Sequence, residues 1–238
     1  MKEREYLVRD GNFYYFRKWL NFPLLAFFTS RKIDFSQKRN LKLLCKKLNI
    51  KNLILPIQKH SSKVSIVNFK NKGKKFFSDA LITKELNLAI GVLTADCFSI
   101  FLYDPLHRAI GIVHAGWRGT REEIVKNTII KMKEEFSTNP SDLQIAFGPG
   151  IRECCYEIKE DLREYFSGYI QEREGKLYLD LKRANLEQLY SLGVKKENIL
   201  DSGICTVCQN SYFFSYRKEG EKTGRIISLI MLKNNYED

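Results

Sequence analysis

The stretch from Gly91 to Thr120, GVLTADCFSIFLYDPLHRAIGIVHAGWRGT, constrains the fold more than any other part of this chain. Three apolar runs, Ala89–Thr94, Ser99–Tyr103 and Ala109–Val113, read as short buried strands. Asp104-Pro105 marks a turn between the second and third, because proline lacks an N–H and disfavours helical geometry in the residue before it. So short a link predicts a hairpin. Cys97, placed just after the first run, and His114, placed just after the third, can then meet in space.

The next residues, Gly116 to Thr120, set a large aromatic and a cation between two glycines. Tight backbone turns there would lay Trp117 and Arg118 beside a cavity. Beyond Thr120 the apolar spacing becomes helical, through Ile124, Thr128, Ile129, Met132 and Phe136. Thr120 is expected to cap this helix, with Glu122 and Glu123 in its first turn, where an anion would also bind.

Similar reasoning places one or two strands in Glu5–Phe16, a strand at Phe22–Thr29, and a basic helix capped by Ser36 with Leu41, Leu44, Cys45 and Leu48 on its apolar face. Val64–Phe69 and Asp142–Phe147 read as strands, the latter ending at Gly148-Pro149-Gly150. Ser78 or Asp79 is expected to cap a short helix or turn. Helices are expected from about Lys159 to Phe166 and over Asp180–Leu192, and Arg225–Leu232 reads as a last strand.

With 238 residues, 44% hydrophobic and 29% charged, the chain can bury one large core or two small ones. It contains no apolar stretch near the length of a bilayer, and MKEREYLVRDG lacks the apolar segment of a signal peptide, so a cytoplasmic protein is expected. The formal charge of +12 is concentrated at the front, where residues 1–80 hold 19 Lys or Arg against 5 Asp or Glu. A basic face attracts phosphate backbones, yet no zinc-finger or RNP pattern accompanies it, and a solvated lysine-rich surface is the simpler reading.

Six cysteines without an export signal do not suggest a disulfide framework. Cys45 belongs on its helix's apolar face. Cys154 and Cys155 are adjacent, and neighbouring side chains usually point apart, which argues against a chelating pair. Cys205 and Cys208 form one CxxC without a βαβ setting, and read as a strand or turn.

The chain has only three histidines. His107 falls in the hairpin turn. His60, Cys97 and His114 each stand just beyond an apolar run, and a Cys/His/His set is zinc ligand chemistry with a fourth position left for water or substrate. A rival reading makes Cys97 a thiolate nucleophile paired with His114, as in covalent hydrolases. Copper oxidation is a third, but a multicopper centre needs more imidazoles than three. Arg217 and Arg225 are candidate anion contacts.

TADC at Thr94–Cys97, HAGWRG at His114–Gly119, GPGI at Gly148–Ile151, YEI at Tyr156–Ile158, SYR at Ser215–Arg217 and TGR at Thr223–Arg225 together resemble the laccase-domain family, once called multicopper polyphenol oxidases and now described as purine nucleoside phosphorylases. The resemblance implies a single layered α/β domain over 1–238 with mixed sheets flanked by helices. It implies phosphorolysis of adenosine, inosine and S-methyl-5'-thioadenosine, in several members with adenosine deamination, and Zn2+ held by His60, Cys97 and His114. Purine nucleosides and phosphate are then the partners, with no membrane and no nucleic acid. Arg118, with Arg217 or Arg225, would hold phosphate; Trp117 would stack on the base; Asp96 or Asp79 would carry the proton in deamination. The competing readings are a hydrolase using Cys97 and His114, and a basic RNA-associated domain with a structural metal. Members often carry cysteine where this chain has Gly150, which would take a thiol from the pocket rim.

Overall fold

The fold is described from a computed structural model over residues 6–234. From the amino terminus come β1 (Leu7–Asp10), β2 (Phe13–Phe16), β3 (Leu24–Thr29), α1 (Lys38–Lys47), β4 (Leu53–Ile54), β5 (Val64–Ile66), β6 (Ala80–Thr83), β7 (Ala89–Thr94), β8 (Phe98–Asp104) and β9 (Ala109–Ala115). Then follow α2 (Trp117–Arg121), α3 (Ile124–Phe136), β10 (Gln144–Phe147), β11 (Glu157–Ile158), α4 (Arg163–Phe166), β12 (Ile170–Arg173), β13 (Lys176–Leu179), α5 (Leu181–Ser191), β14 (Ile199–Asp201), α6 (Tyr216–Glu219) and β15 (Ile226–Leu232).

Twelve of the strands form two six-stranded sheets, ordered β1-β2-β3-β15-β7-β4 and β14-β10-β8-β9-β6-β5, and β11-β13-β12 make a third. Both large sheets are mixed, with parallel pairs at β4–β7, β5–β6 and β10–β14. Alternate side chains of a strand face opposite ways. Along β8, Phe101 and Tyr103 join Phe16, Phe28 and Ile230 of the other sheet. Phe98, Ile100 and Leu102 instead meet Ile129 and Met132 of α3 and Leu189 of α5. The outer face of the first sheet sets Phe27 and Leu229 against Leu44 of α1.

The layers therefore run helix, sheet, sheet, helix, the mixed α/β class that the sequence implied. Central strands are covered on both faces, which is why β7, β8 and β9 read as unbroken apolar runs. Phe16 and Phe101 meet edge to face at 5.9 Å between the two sheets. Burying a ring of that size contributes about 1.5–3 kcal/mol. Among the described residues no helix is long and apolar enough to cross a membrane.

The expected hairpin is β8–β9, pairing Phe98 with Ala115 and Asp104 with Ala109. Asp104 closes its turn by accepting from the backbone N–H groups of Leu106 and His107, and it bonds the His107 ring at 2.9 Å. His107 is thereby committed to the turn.

Several local expectations are corrected. Thr120 does not cap α3: its N–H already bonds Gly116 O at 2.9 Å, so helical coiling starts directly after that glycine. Glu122 ends α2, and Glu123, with φ of 61°, breaks the path before α3. Gln37 rather than Ser36 precedes α1, because Ser36 turns back to bond Asp34. After Ser78 and Asp79 the chain enters β6, an interior strand with every residue buried, and not a helix. The helix expected over 159–166 is a 3-10 turn at Glu160–Leu162 followed by the single turn α4, anchored by Leu162 and Phe166. Glu5, with the other four residues of the amino terminus, lies outside the described range, as do residues 235–238.

Candidate metal centre and active-site cleft

The ends of β7 and β9 and the loop after β4 converge on one point. Gln58 fastens that loop to β7 as a substitute strand partner: its side-chain carbonyl accepts from Leu93 N–H at 3.0 Å, and its amide donates to Leu93 O at 2.9 Å. Two residues on, His60 has φ of 57°, in the left-handed region that residues with a Cβ seldom occupy. Asp79 holds it there. This fully buried carboxylate accepts from the backbone N–H groups of Lys59, His60 and Ser61 at 3.1, 3.0 and 2.7 Å, and from the Ser61 hydroxyl at 2.8 Å. Its Oδ1 also bonds Nδ1 of His114 at 2.9 Å.

With Nδ1 so engaged, the other ring nitrogen of His114 is left for Cys97, and the two side chains are hydrogen-bonded. The donor atoms of His60, Cys97 and His114 all lie within 4.8 Å of one another. The imidazoles of His60 and His114 meet at 4.9 Å and 72°. His114 is buried, Cys97 partly buried and His60 exposed, so the group closes inward and opens outward. Gly116 permits the approach: a Cβ there would stand 2.8 Å from Cys97 Sγ and 3.4 Å from the His60 ring.

The electrostatics match a ligand set. Burial opposes ionisation of Cys97, but the charge and hydrogen bond of His114, then those of His60, bring its thiol down to about 6. Burial likewise opposes protonation of His114, but the Cys97 charge and the Asp79 bond raise it to about 9. For Asp79 the bonds from His114, Ser61 and Lys59 outweigh burial and hold its carboxyl well below the usual carboxylate range. A thiolate and two imidazoles, one backed by a carboxylate, can hold a divalent metal ion and leave one coordination position free.

These donors sit in a cleft of about 970 Å³ that Trp117, Arg118, Tyr156, Arg217 and Arg225 also line. The guanidinium of Arg118 stacks on Trp117 at 4.3 Å, and that of Arg217 on Tyr156 at 5.3 Å. Arg225 is turned partly back on its own chain, donating to Thr223 O and Gly224 O at 2.9 and 3.0 Å. Asp96, with φ of 92°, borders the cleft while its two oxygens accept from the Thr206 hydroxyl and the Arg217 N–H, each at 2.6 Å. Burial and the neighbouring Cys97 charge push the Tyr156 phenol up, so it remains a proton donor.

Every residue singled out for the site from sequence thus borders one cleft, except Asp79, which stands behind it. Sequence reasoning missed the orienting role of Asp79 and gave no task to Gln58, Tyr156 or Thr206. The local signal for Asp79 was an acid set directly before the apolar residues Ala80, Leu81 and Ile82. Gly150 is a correction. A Cβ there would meet the Phe98 ring at 2.5 Å, so this position faces the core and not the pocket rim. A second correction concerns Cys154, Cys155, Cys205 and Cys208, whose sulfurs also lie within 4.8 Å of one another. Neighbouring side chains diverge along a strand, but in the turn closed by Cys155 N–H and Tyr156 N–H on Arg152 O they converge.

Residues 34–233 match the family described as multi-copper polyphenol oxidoreductase laccase. A purine nucleoside phosphorylase of Clostridium acetobutylicum is 39% identical over 201 residues, covering 82% of this chain and 83% of the relative. One from Aquifex aeolicus is 37% identical over 180 residues, 76% of this chain and 83% of its own. The crystal structure of Bacillus licheniformis hypothetical protein YfiH superposes with a TM-score of 0.85 at 25% identity, covering 97% of this chain and all of that one. YlmD from Geobacillus stearothermophilus, at 23% identity, shares the fold with a TM-score of 0.90, over the same proportions. The chain belongs to this laccase-named family, and the two curated relatives compared above carry the name purine nucleoside phosphorylase.

Proposed function

We propose that this chain is a cytoplasmic, zinc-dependent purine nucleoside phosphorylase that cleaves adenosine, inosine and S-methyl-5'-thioadenosine with phosphate, and that also deaminates adenosine. The observation that carries the reading is the convergence of His60, Cys97 and His114 in a cleft that three arginines also line. The names of the relatives favour this reading over a cysteine hydrolase or an RNA-associated domain.

His60, Cys97 and His114 would hold the ion, and Asp79 would fix the His114 ring. Once bound, zinc would supply a Lewis acid to the reaction. Arg118 and Arg217 present their guanidinium edges to phosphate, whose charge they match through paired hydrogen bonds. A phosphate oxygen bonds to the anomeric carbon as the bond to the purine nitrogen breaks. The electron pair leaves with the base, which takes up a proton. Trp117 offers a face for the purine, with Arg118 stacked on it. For deamination Asp96 is the proton carrier, because Asp79 is wholly occupied by the loop and His114.

Inosine and phosphate supplied to metal-replete protein should yield hypoxanthine and ribose-1-phosphate in equal amounts. The absence of both products, with adenosine and S-methyl-5'-thioadenosine also inert, would defeat the assignment. Hydrolysis without phosphate, surviving metal removal, would favour the Cys97 nucleophile.

A further inference from the structure

The four cysteines outside the cleft form a compact group with no part in the chemistry described so far. Cys208 Sγ stands 3.5 Å from Cys154 Sγ and 3.3 Å from Cys155 Sγ, and all four sulfurs fall within 4.8 Å. Zinc–sulfur bonds of about 2.3 Å set the sulfurs of a tetrahedron about 3.8 Å apart. The two short separations fall a few tenths of an ångström below that value, and no pair exceeds 4.8 Å. A disulfide needs its sulfurs at about 2.05 Å, and all four cysteines are free. Iron–sulfur clusters spread their cysteines around several irons, wider than this set allows.

The backbone supports the same geometry. Cys154 and Cys155 occupy the turn that closes on Arg152 O, and Cys205 opens a turn closed by Gln209 N–H on its carbonyl at 3.0 Å. Backbone N–H groups of Cys208, Arg152 and Val207 point at the Cys205 sulfur, where they would stabilise a thiolate bound to a cation. Cys205 is buried, and Cys154 and Cys208 are exposed, so an ion could enter from the surface.

We propose that Cys154, Cys155, Cys205 and Cys208 bind a single structural zinc ion, separate from the His60–Cys97–His114 centre, that staples together two loops of the cleft wall. The stapled loops reach the chemistry directly. Gly150 N–H bonds Ile204 O at 3.2 Å, Thr206 N–H bonds Gly150 O at 3.1 Å, and Ile151 N–H bonds Asp96 O at 2.7 Å. Thr206 also holds the Asp96 carboxylate, and Arg217 Nη1 bonds Cys155 O at 3.4 Å. Binding releases the thiol protons and leaves the sulfurs reduced.

The test is independent of the activity proposed above. Zinc analysis of full-length protein should find two equivalents per chain, falling to one in Cys155→Ser/Cys208→Ser and to one in His114→Ala. Because the cysteine variant could fail to fold, the His60→Ala/His114→Ala chain is also loaded with Co(II). Intense thiolate-to-cobalt charge transfer with tetrahedral d–d bands should appear at one equivalent. One zinc in the wild type that is retained in Cys155→Ser/Cys208→Ser, no such bands, or alkylation of only four of the six cysteines in denatured, unreduced protein would overturn the proposal; the last outcome would reveal a disulfide instead.

Discussion

Asp79 Oδ1 bonds His114 Nδ1 at 2.9 Å while the same oxygen accepts the backbone N–H of His60 at 3.0 Å. One carboxylate therefore sets the ring of one candidate ligand and the backbone of another. Replacing it by Asn keeps the volume but leaves one neutral acceptor oxygen and sets an NH2 donor where the other carboxylate oxygen accepted. Loss of such an outer partner typically costs 10–100-fold in metal affinity. Asp79→Asn should lower zinc affinity of the histidine site by about that factor in competition with a chelator, with the cysteine site unchanged. Equal affinity in variant and wild type would show that Asp79 serves the loop alone.

The metal-free protein should have a flat-topped stability profile from the Cys97–His114 pair. Cys97 is brought from 9.0 to about 6, against burial, chiefly by the His114 charge. Its contribution is full above the ordinary thiol value and is lost as pH falls through about 6. His114 is raised from 6.5 to about 9, against burial, chiefly by the Cys97 charge, so its contribution is full below 6.5 and lost as pH rises through about 9. The two slopes cancel between 6.5 and about 9, the profile stays level above that window, and it drops only where pH falls from 6.5 through about 6. Urea midpoints of chelated wild type minus those of Cys97→Ser should rise with pH across this window, because the variant keeps only the declining His114 contribution. A difference independent of pH would mean the thiol stays neutral.

How much of this could be read beforehand follows from sequence distance. Cys97 and His114 were legible as a pair because each closes an apolar run of one hairpin region, and period two does the rest. His60 was legible as a candidate from its place just beyond an apolar run and gained weight from the family resemblance, but its left-handed backbone was not, since that depends on Asp79, nineteen positions on. The cysteine group was illegible for a similar reason: its halves follow β10 and β14, which pair in parallel only after the fold has formed. Rules for side chains one position apart describe strands, and a turn reverses them. The helix start at Trp117 was misplaced because Thr120 looks like a cap, and nothing local announces its partner Asn185 on α5.

Arg217 separates a binding role from a structural one. Its backbone N–H, not its guanidinium, holds Asp96, so Arg217→Gln should leave that support intact. The variant should unfold at the wild-type temperature and show a phosphate KM raised on the order of tenfold, as for loss of one charge-assisted contact. An unchanged KM would move phosphate recognition to Arg118 and Arg225.

Gly116 should be the least tolerant position beside the candidate metal donors. An added Cβ would sit 2.8 Å from Cys97 Sγ, inside van der Waals contact, so the thiol must move. Gly116 itself has φ of −90°, which alanine adopts freely, and any effect is steric and not conformational. Gly116→Ala should fold, yet bind less zinc at the histidine centre and lose turnover. Full occupancy and wild-type kcat would show that Cys97 can shift without harm.

Gly150 tests the opposite side of the same wall. Its missing Cβ would meet three atoms of the Phe98 ring at 2.5 to 2.9 Å, and Phe98 is itself fully buried, edge to face with Phe147 at 5.9 Å. That ring has nowhere to retreat without disturbing β8 and β10. Gly150→Ala, and more so Gly150→Cys, should destabilise the fold by about 1–3 kcal/mol, the usual range for overpacking a filled core. Because position 150 faces away from the cleft, the folded fraction should keep its substrate preference. Urea titration gives the first quantity, and the ratio of kcat/KM for inosine and adenosine gives the second. A changed ratio at unchanged stability would mean that the side chain turns toward the substrate after all.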